Sequence, residues 1–239
     1  MQLFTVAPRF CGPPGTANGG YLAGLFAQHA RHTVRVRLRQ PVPLGVPLVV
    51  ATQAEGRLEL LSGTSLVATA DPATLDLHVP RAPTYLSAID ASRRFSGFKA
   101  HAFPRCFVCG PERAHGDGLR LFAGHTASGE TGVGVASMVA APWIPDVALG
   151  LDGKKVRPEF MWAALDCPGY FAARTDGVAM LLGEFTAHVD RLVHLDEPCV
   201  VIGWRISVSG RKYEVGTALF GAEGDLCAKA RAVWIEPRA

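Results

Sequence analysis

The fold can be worked out from one stretch of this chain, Asn18-Gly19-Gly20-Tyr21-Leu22-Ala23-Gly24-Leu25-Phe26. Apolar side chains recur in it at helical spacing, and Asn18 can cap the helix, so we predict a helix over residues 19–31. Apolar and arginine side chains then alternate from Val34 to Leu38. This alternation predicts a strand over residues 33–40 with one buried face.

The same order of elements occurs twice along the chain. Three further strand-like runs complete the first half, over residues 46–54, 57–61 and 64–70. The second half has a helical pattern over residues 158–174, and its predicted strands cover residues 183–193, 198–209, 212–221 and 226–235. The turn at Gly56 recurs 154 residues later at Gly210, in similar flanking sequence. We therefore predict a duplicated unit: residues 1–75, a connector containing prolines and cysteines over residues 76–117, and a second unit over residues 118–239.

The composition excludes several classes of protein. Of 239 residues, 49% are apolar and 19% charged, which excludes disorder as the main state. The net charge is +3 and the basic residues are spread out, so we expect no nucleic-acid partner. No apolar run approaches the ~18 residues of a membrane span, and the N-terminus lacks a signal-peptide pattern. We expect a cytoplasmic protein with six reduced cysteines.

A long helix ahead of an antiparallel sheet, present twice, predicts an α+β protein in which each sheet wraps its own helix. Two such units could pair their sheets edge to edge. The pattern resembles a double hotdog, that is, two antiparallel sheets each wrapping a central helix. The motifs at residues 18–24, 162–169 and 210–235 carry the likeness, and they are similar to acyl-CoA thioesterases of the hotdog superfamily.

Asp166 is the leading candidate for a catalytic group. It follows the apolar run Phe160-Met161-Trp162-Ala163-Ala164-Leu165, where a carboxylate needs a partner or a function to offset its lost hydration. In hotdog thioesterases the acid typically sits on the central helix, so the resemblance implies a catalytic Asp166, either as a nucleophile or as a general base for water. Alternatively, Asp166 caps a helix that restarts at Pro168.

Gly19 and Gly20 are the candidates for an oxyanion site, because the first amides of a helix are unpaired and the helix dipole favours negative charge there. The resemblance implies one composite site made of Asp166 and Asn18-Gly19-Gly20. Alternatively, Asn18 is an ordinary cap and the glycines only allow close helix packing. The resemblance implies an acid at position 27 of the first helix, but this chain has Ala27 there. We therefore predict one catalytically competent site per chain.

Other residues are candidates for substrate binding. We expect the acyl chain to lie between the two halves, against four large side chains: Leu22, Phe26, Trp162 and Tyr170. Glu184 falls near the position where relatives often have a Ser or Thr that orients water. Basic residues before the second helix or on a later turn could bind the phosphates of coenzyme A: Lys154, Lys155, Arg157, Arg211 and Lys212.

The connector contains the knuckle Cys106-Phe107-Val108-Cys109-Gly110. These two cysteines could form a zinc site together with His101 and His115. Zinc fingers usually show two matched pairs of ligands, so we favour two buried thiols that stabilise the connector by packing. We accordingly expect no metal and no cofactor.

The resemblance implies that the chain hydrolyses acyl-CoA to a carboxylic acid and coenzyme A. The main alternative is a non-catalytic acyl-CoA or lipid-ligand binding protein of the same fold. A hydratase is disfavoured, because it would need a histidine paired with an acid on the helices. The sequence leaves open the acyl group, the choice between coenzyme A and acyl-carrier protein, and whether the chain forms a homodimer.

Overall fold

The protein is described from a computed structural model, which covers residues 2–127, 137–173 and 178–238. The helices in these residues are α1 (Gly19–Ala27), α2 (Tyr85–Ser92), α3 (Pro158–Ala164) and α4 (Cys167–Ala173). The strands are β1 (Gln2–Thr5), β2 (Val34–Leu38), β3 (Pro47–Thr52), β4 (Leu58–Ser62), β5 (Ser65–Pro72), β6 (Gly124–His125), β7 (Met138–Trp143), β8 (Gly150–Leu151), β9 (Lys155–Val156), β10 (Leu181–Val189), β11 (Cys199–Ser209), β12 (Lys212–Phe220) and β13 (Leu226–Ile235).

Eleven of these strands form one continuous antiparallel sheet, in the order β1-β3-β4-β5-β2-β10-β13-β12-β11-β7-β6, and β8 pairs with β9 separately. The sheets expected for the two halves are therefore joined edge to edge into one sheet. The halves join because β2 and β10 pair along their edges, with Arg37 opposite Glu184. Joining edge to edge leaves neither strand with an unpaired row of backbone groups.

The apolar α1 and α3 pack against each other in the buried core. Gly20 lies against Asp166, and Gly24 lies against Glu159, so the two helices run antiparallel. Glycine has no side chain, which lets the two backbones approach closely. The start of α1 in the first half therefore meets the end of α3 in the second half.

The helix predicted over residues 158–174 is two helices, and residue 174 lies outside the described residues. The helix breaks at Leu165 and Asp166 because Pro168 has no amide to donate to the carbonyl of Ala164 and its ring would clash there. The first helix also ends earlier than predicted, at Ala27 instead of residue 31. The break places Asp166 in a buried turn between α3 and α4.

The connector contains a helix, α2, that was not predicted from the sequence. Thr84 caps it by accepting a hydrogen bond from the Ser87 amide at 3.1 Å. Its buried Ala88 and Ala91 pack with the second, smaller apolar cluster, which includes residues of β7 and β11. The edge strands β1 and β6 were missed as well, as was β7, which pairs with β6. The longest helix in the described ranges has nine residues, and none has the length and hydropathy to cross a membrane.

Candidate active site

Asn18 organises the start of α1. Its Oδ1 accepts a hydrogen bond from the Tyr21 amide at 2.9 Å, which caps the helix as the sequence predicts. Its Nδ2 donates to Asp166 Oδ2 at 2.9 Å. Asn18 is 2% exposed. Both the oxygen and the nitrogen of a buried amide side chain need hydrogen-bond partners. The partners of Asn18 are Tyr21 in the first half of the chain and Asp166 in the second half.

The Asp166 carboxylate is turned toward α1. Oδ2 accepts from the Gly20 amide at 2.9 Å as well as from Asn18. Oδ1 is buried and has no hydrogen-bond partner among the described residues, and the residue as a whole is 1% exposed. The Asp166 side chain thus accepts hydrogen bonds from the start of α1, in the other half of the chain, and does not cap α4. One oxygen is held in place, and the other has no hydrogen-bond partner in the described part of the chain.

Burial raises the pKa of Asp166 to about 7. The hydrogen bonds from Gly20 and Asn18 favour the charged form and lower the pKa, but they do not overcome the lost hydration. The nearby Cys106 sulfur raises it further. A carboxyl group with this pKa can take up or release a proton near neutral pH.

The two glycines at the start of α1 differ in their surroundings. A Cβ on Gly20 would lie 2.4 Å from Asp166 Cβ and 2.9 Å from the Trp162 carbonyl oxygen, so only glycine fits there. A Cβ on Gly19 would meet the side chain of Leu182, its nearest atom being Cδ2 at 2.8 Å. The Gly19 amide makes no hydrogen bond within the described residues, and Gly19 lines the cavity described next. It is the free donor of the first turn.

A cavity of about 460 Å³ opens beside Asp166. Most of its wall is apolar, including Leu22, Leu38, Met180 and Leu182. Of the four predicted wall residues, Leu22 and Tyr170 line it, whereas Phe26 and Trp162 are outside its lining and buried in the core. Two exposed arginines, Arg39 and Arg211, also line it, and of these only Arg211 was singled out from the sequence.

Three other predicted binding residues lie outside the cavity lining. Glu184 accepts a hydrogen bond from Arg37 Nε at 3.0 Å across the junction of β2 and β10. Arg157 pairs with Glu159, with 3.1 Å between Arg157 Nε and Glu159 Oε1, and Lys155 is exposed on β9. The structure therefore gives Glu184 and Arg157 ion-pair partners outside the site.

The opposite end of the α1 and α3 pair has different chemistry. Gln28, which follows α1, donates to Glu159 Oε2 at 3.0 Å, in the first turn of α3. Glu159 is 5% exposed and already paired with Arg157. This end has no glycine pair opposite a carboxylate, unlike the end at Asp166.

Three buried cysteines adjoin the site. Cys106 and Cys109 come from the connector, and Cys167 directly follows Asp166 in sequence. All three line the cavity. Hydrogen bonds from the Cys109 and Cys167 thiols lower the pKa of Cys106, while burial raises the pKa of both partners. The sequence pattern indicates only the pair of Cys106 and Cys109, because Cys167 lies 61 residues beyond Cys106 along the chain.

No family model and no curated protein matches this sequence. Solved structures do match its fold. The tesB protein of Mycobacterium avium subsp. paratuberculosis has 14% identity and a TM-score of 0.61, over 99% of this chain and 92% of that one. The acyl-CoA thioesterase II TesB2 of Mycobacterium marinum has 12% identity and a TM-score of 0.61, over 99% and 93%. A hot dog fold protein of Alicyclobacillus acidocaldarius has 11% identity and a TM-score of 0.62, over 99% and 93%. These likenesses show that the chain has the hotdog fold, as the sequence predicted.

Proposed function

We propose that this chain is a double-hotdog acyl-CoA thioesterase that hydrolyses an acyl-CoA to a carboxylic acid and coenzyme A. One observation carries the proposal: the buried Asp166 carboxylate of one half is bonded to the helix start of the other half, beside an apolar cavity. Thioester hydrolysis needs a base or nucleophile, a donor for the carbonyl oxygen and a dry site for the acyl group. The units proposed from the sequence, residues 1–75 and 118–239, each contribute to this site.

Asp166 Oδ1 is the reacting atom in this proposal, because Oδ2 is occupied by Gly20 and Asn18. As a general base, Oδ1 takes a proton from water while the water oxygen bonds to the thioester carbon. The C–S bond then breaks, and the proton passes to the sulfur of coenzyme A. As a nucleophile, Oδ1 bonds to the same carbon and expels the thiolate, leaving a mixed anhydride that water hydrolyses.

The thioester carbonyl oxygen would accept a hydrogen bond from the Gly19 amide. The sequence prediction assigns this role to Gly19 and Gly20 together, but the Gly20 amide is already bonded to Asp166. Gly19 supplies the free donor at the positive end of the α1 dipole. Gly20 instead positions the carboxylate, so the two neighbouring amides have separate roles.

The cavity supplies the remaining parts of the site. Its apolar wall suits an acyl chain, and Arg39 and Arg211 suit the phosphates of coenzyme A. We assign one site per chain, because the opposite end of the helix pair holds Gln28 and an ion-paired Glu159. The homodimer stays a prediction.

The second candidate is a binding protein for acyl-CoA or another lipid ligand. One observation favours the binding protein: the Gly20 amide already donates to Asp166, so only the Gly19 amide is left to stabilise an oxyanion. Thiol release from short, medium, long and aromatic acyl-CoAs distinguishes the two, measured for the wild type and Asp166→Asn. We expect turnover of at least one substrate and a loss of about 100-fold or more in the variant. Binding without thiol release from any substrate would replace the enzyme with the binding protein.

A further inference from the structure

The three cysteines beside the site have the arrangement of a metal centre. The sulfur atoms of Cys106, Cys109 and Cys167 all lie within 4.8 Å of one another, and those of Cys106 and Cys167 are 3.7 Å apart. Sulfur ligands at about 2.3 Å from a tetrahedral zinc ion lie about 3.8 Å from each other. We propose that Cys106, Cys109 and Cys167 bind one zinc ion.

The local backbone supports this assignment. Cys106 and Cys109 have two residues between them, which is the ligand spacing of a zinc knuckle. Gly110 closes the turn, with its amide donating to the Cys106 carbonyl at 2.9 Å. A Cβ there would lie 2.5 Å from that carbonyl oxygen and 2.6 Å from the Pro104 carbonyl oxygen. Only glycine fits, and the chain folds tightly around the sulfur as in a zinc knuckle.

The ligand set differs from the one drawn from the sequence. His115 is exposed, and His101 does not belong to the group of ligand atoms that lie within 4.8 Å of one another. Cys167 replaces them as the third ligand. Thiolates are soft ligands that favour zinc over calcium and magnesium, and binding releases the thiol protons to solvent.

The fourth coordination position faces the cavity, since all three cysteines line it. A water molecule completes the tetrahedron there, as in sites with three protein ligands. The site adjoins the carboxylate: Asn18 Nδ2 lies 3.8 Å from Cys106 Sγ and 2.9 Å from Asp166 Oδ2. The zinc ion thus links the connector to the start of α4, one residue after Asp166. The inference does not depend on thioesterase activity.

The test is the metal content of the full chain, purified without chelators after growth with added zinc. The wild type is expected to hold one zinc ion per chain. Zinc content should fall at least about tenfold in Cys106→Ser and Cys167→Ser, because each loses a ligand. Cys199→Ser is the matched control, since Cys199 is equally buried but outside the cluster, and it should retain zinc.

Cobalt substitution provides a measurement that needs no variant. The chelated wild type titrated with Co²⁺ should show the intense visible bands of a tetrahedral thiolate site, which zinc then abolishes. Three results would overturn the proposal: wild type that holds no zinc and shows no such bands, a disulfide between Cys106 and Cys167 by mass spectrometry, or equal zinc in the wild type and both folded cluster variants.

Discussion

Gly20→Ala tests how closely α1 must pack against the end of α3 for the site to function. The added methyl group would lie 2.4 Å from Asp166 Cβ, 2.9 Å from the Trp162 carbonyl oxygen and 3.0 Å from Asp166 Cγ. Backbone and buried atoms cannot move aside without separating α1 from α3. The separation also breaks the 2.9 Å bond from the Gly20 amide to the carboxylate.

The expected loss of stability has two parts. Overpacking a core costs about 1–3 kcal/mol, and losing a hydrogen bond to a charged group costs about 1.5–3 kcal/mol. Together they lead us to expect that the free energy of unfolding falls by about 2.5–6 kcal/mol. Activity should fall about 100-fold, since a displacement of about 1 Å in a reacting group has that effect.

Gly24→Ala is the matched control. Its methyl group would lie 2.7 Å from Trp162 Cβ and 2.8 Å from Glu159 Cα, so it overpacks the same helix pair away from Asp166. Urea unfolding followed by circular dichroism measures stability, and thiol release from acyl-CoA measures activity at a temperature where both variants are folded. Gly24→Ala should lose stability but keep activity within about threefold of wild type. Equal activity in the two variants would refute the positioning role of Gly20.

Further predictions concern stability and specificity. Thr217→Val removes the hydroxyl that donates to the Leu165 carbonyl at 2.8 Å, so this buried acceptor is left unpaired. Calorimetry should show that the free energy of unfolding falls by about 1–3 kcal/mol. An unchanged unfolding curve would contradict this. Hydrogen bonds from Arg191 lower the pKa of Glu197 to about 2, so the pair's stabilisation should be present above pH 4.5 and be lost as the pH falls toward 2. Glu197→Gln should remove this part of the acid dependence in chemical denaturation between pH 2 and 6, and an unaltered profile would argue against it. Leu182→Phe narrows the cavity beside Gly19, so kcat/KM should shift toward shorter acyl chains, and an unchanged chain-length profile would place the acyl group elsewhere.

The sequence could predict the start of α1 and the importance of Asp166, because both depend on local rules. Asn18 has a capping side chain, and a carboxylate after an apolar helix must find a partner. The partner of Glu184 was missed because it lies on a strand of the other half. The alternating arginines of β2 carried that signal, since Arg37 on an inner strand needs an acid opposite.

The cavity wall could be predicted only in part. Leu22 and Phe26 are both apolar and four residues apart on α1, yet only Leu22 lines the cavity. Helical spacing identifies a buried face, but it does not say which part of that face meets a cavity. Cys167 was missed because its thiol partners come from the connector, whose path no local pattern predicts.

The most direct test of the account compares two buried acids at opposite ends of one helix pair. Thiol release at saturating acyl-CoA is measured for Asp166→Asn and for the matched control Glu159→Gln, with folding checked by circular dichroism. The account predicts that kcat falls about 100-fold or more in Asp166→Asn and stays within about tenfold of wild type in Glu159→Gln. A kcat for Asp166→Asn equal to that of the wild type would contradict it.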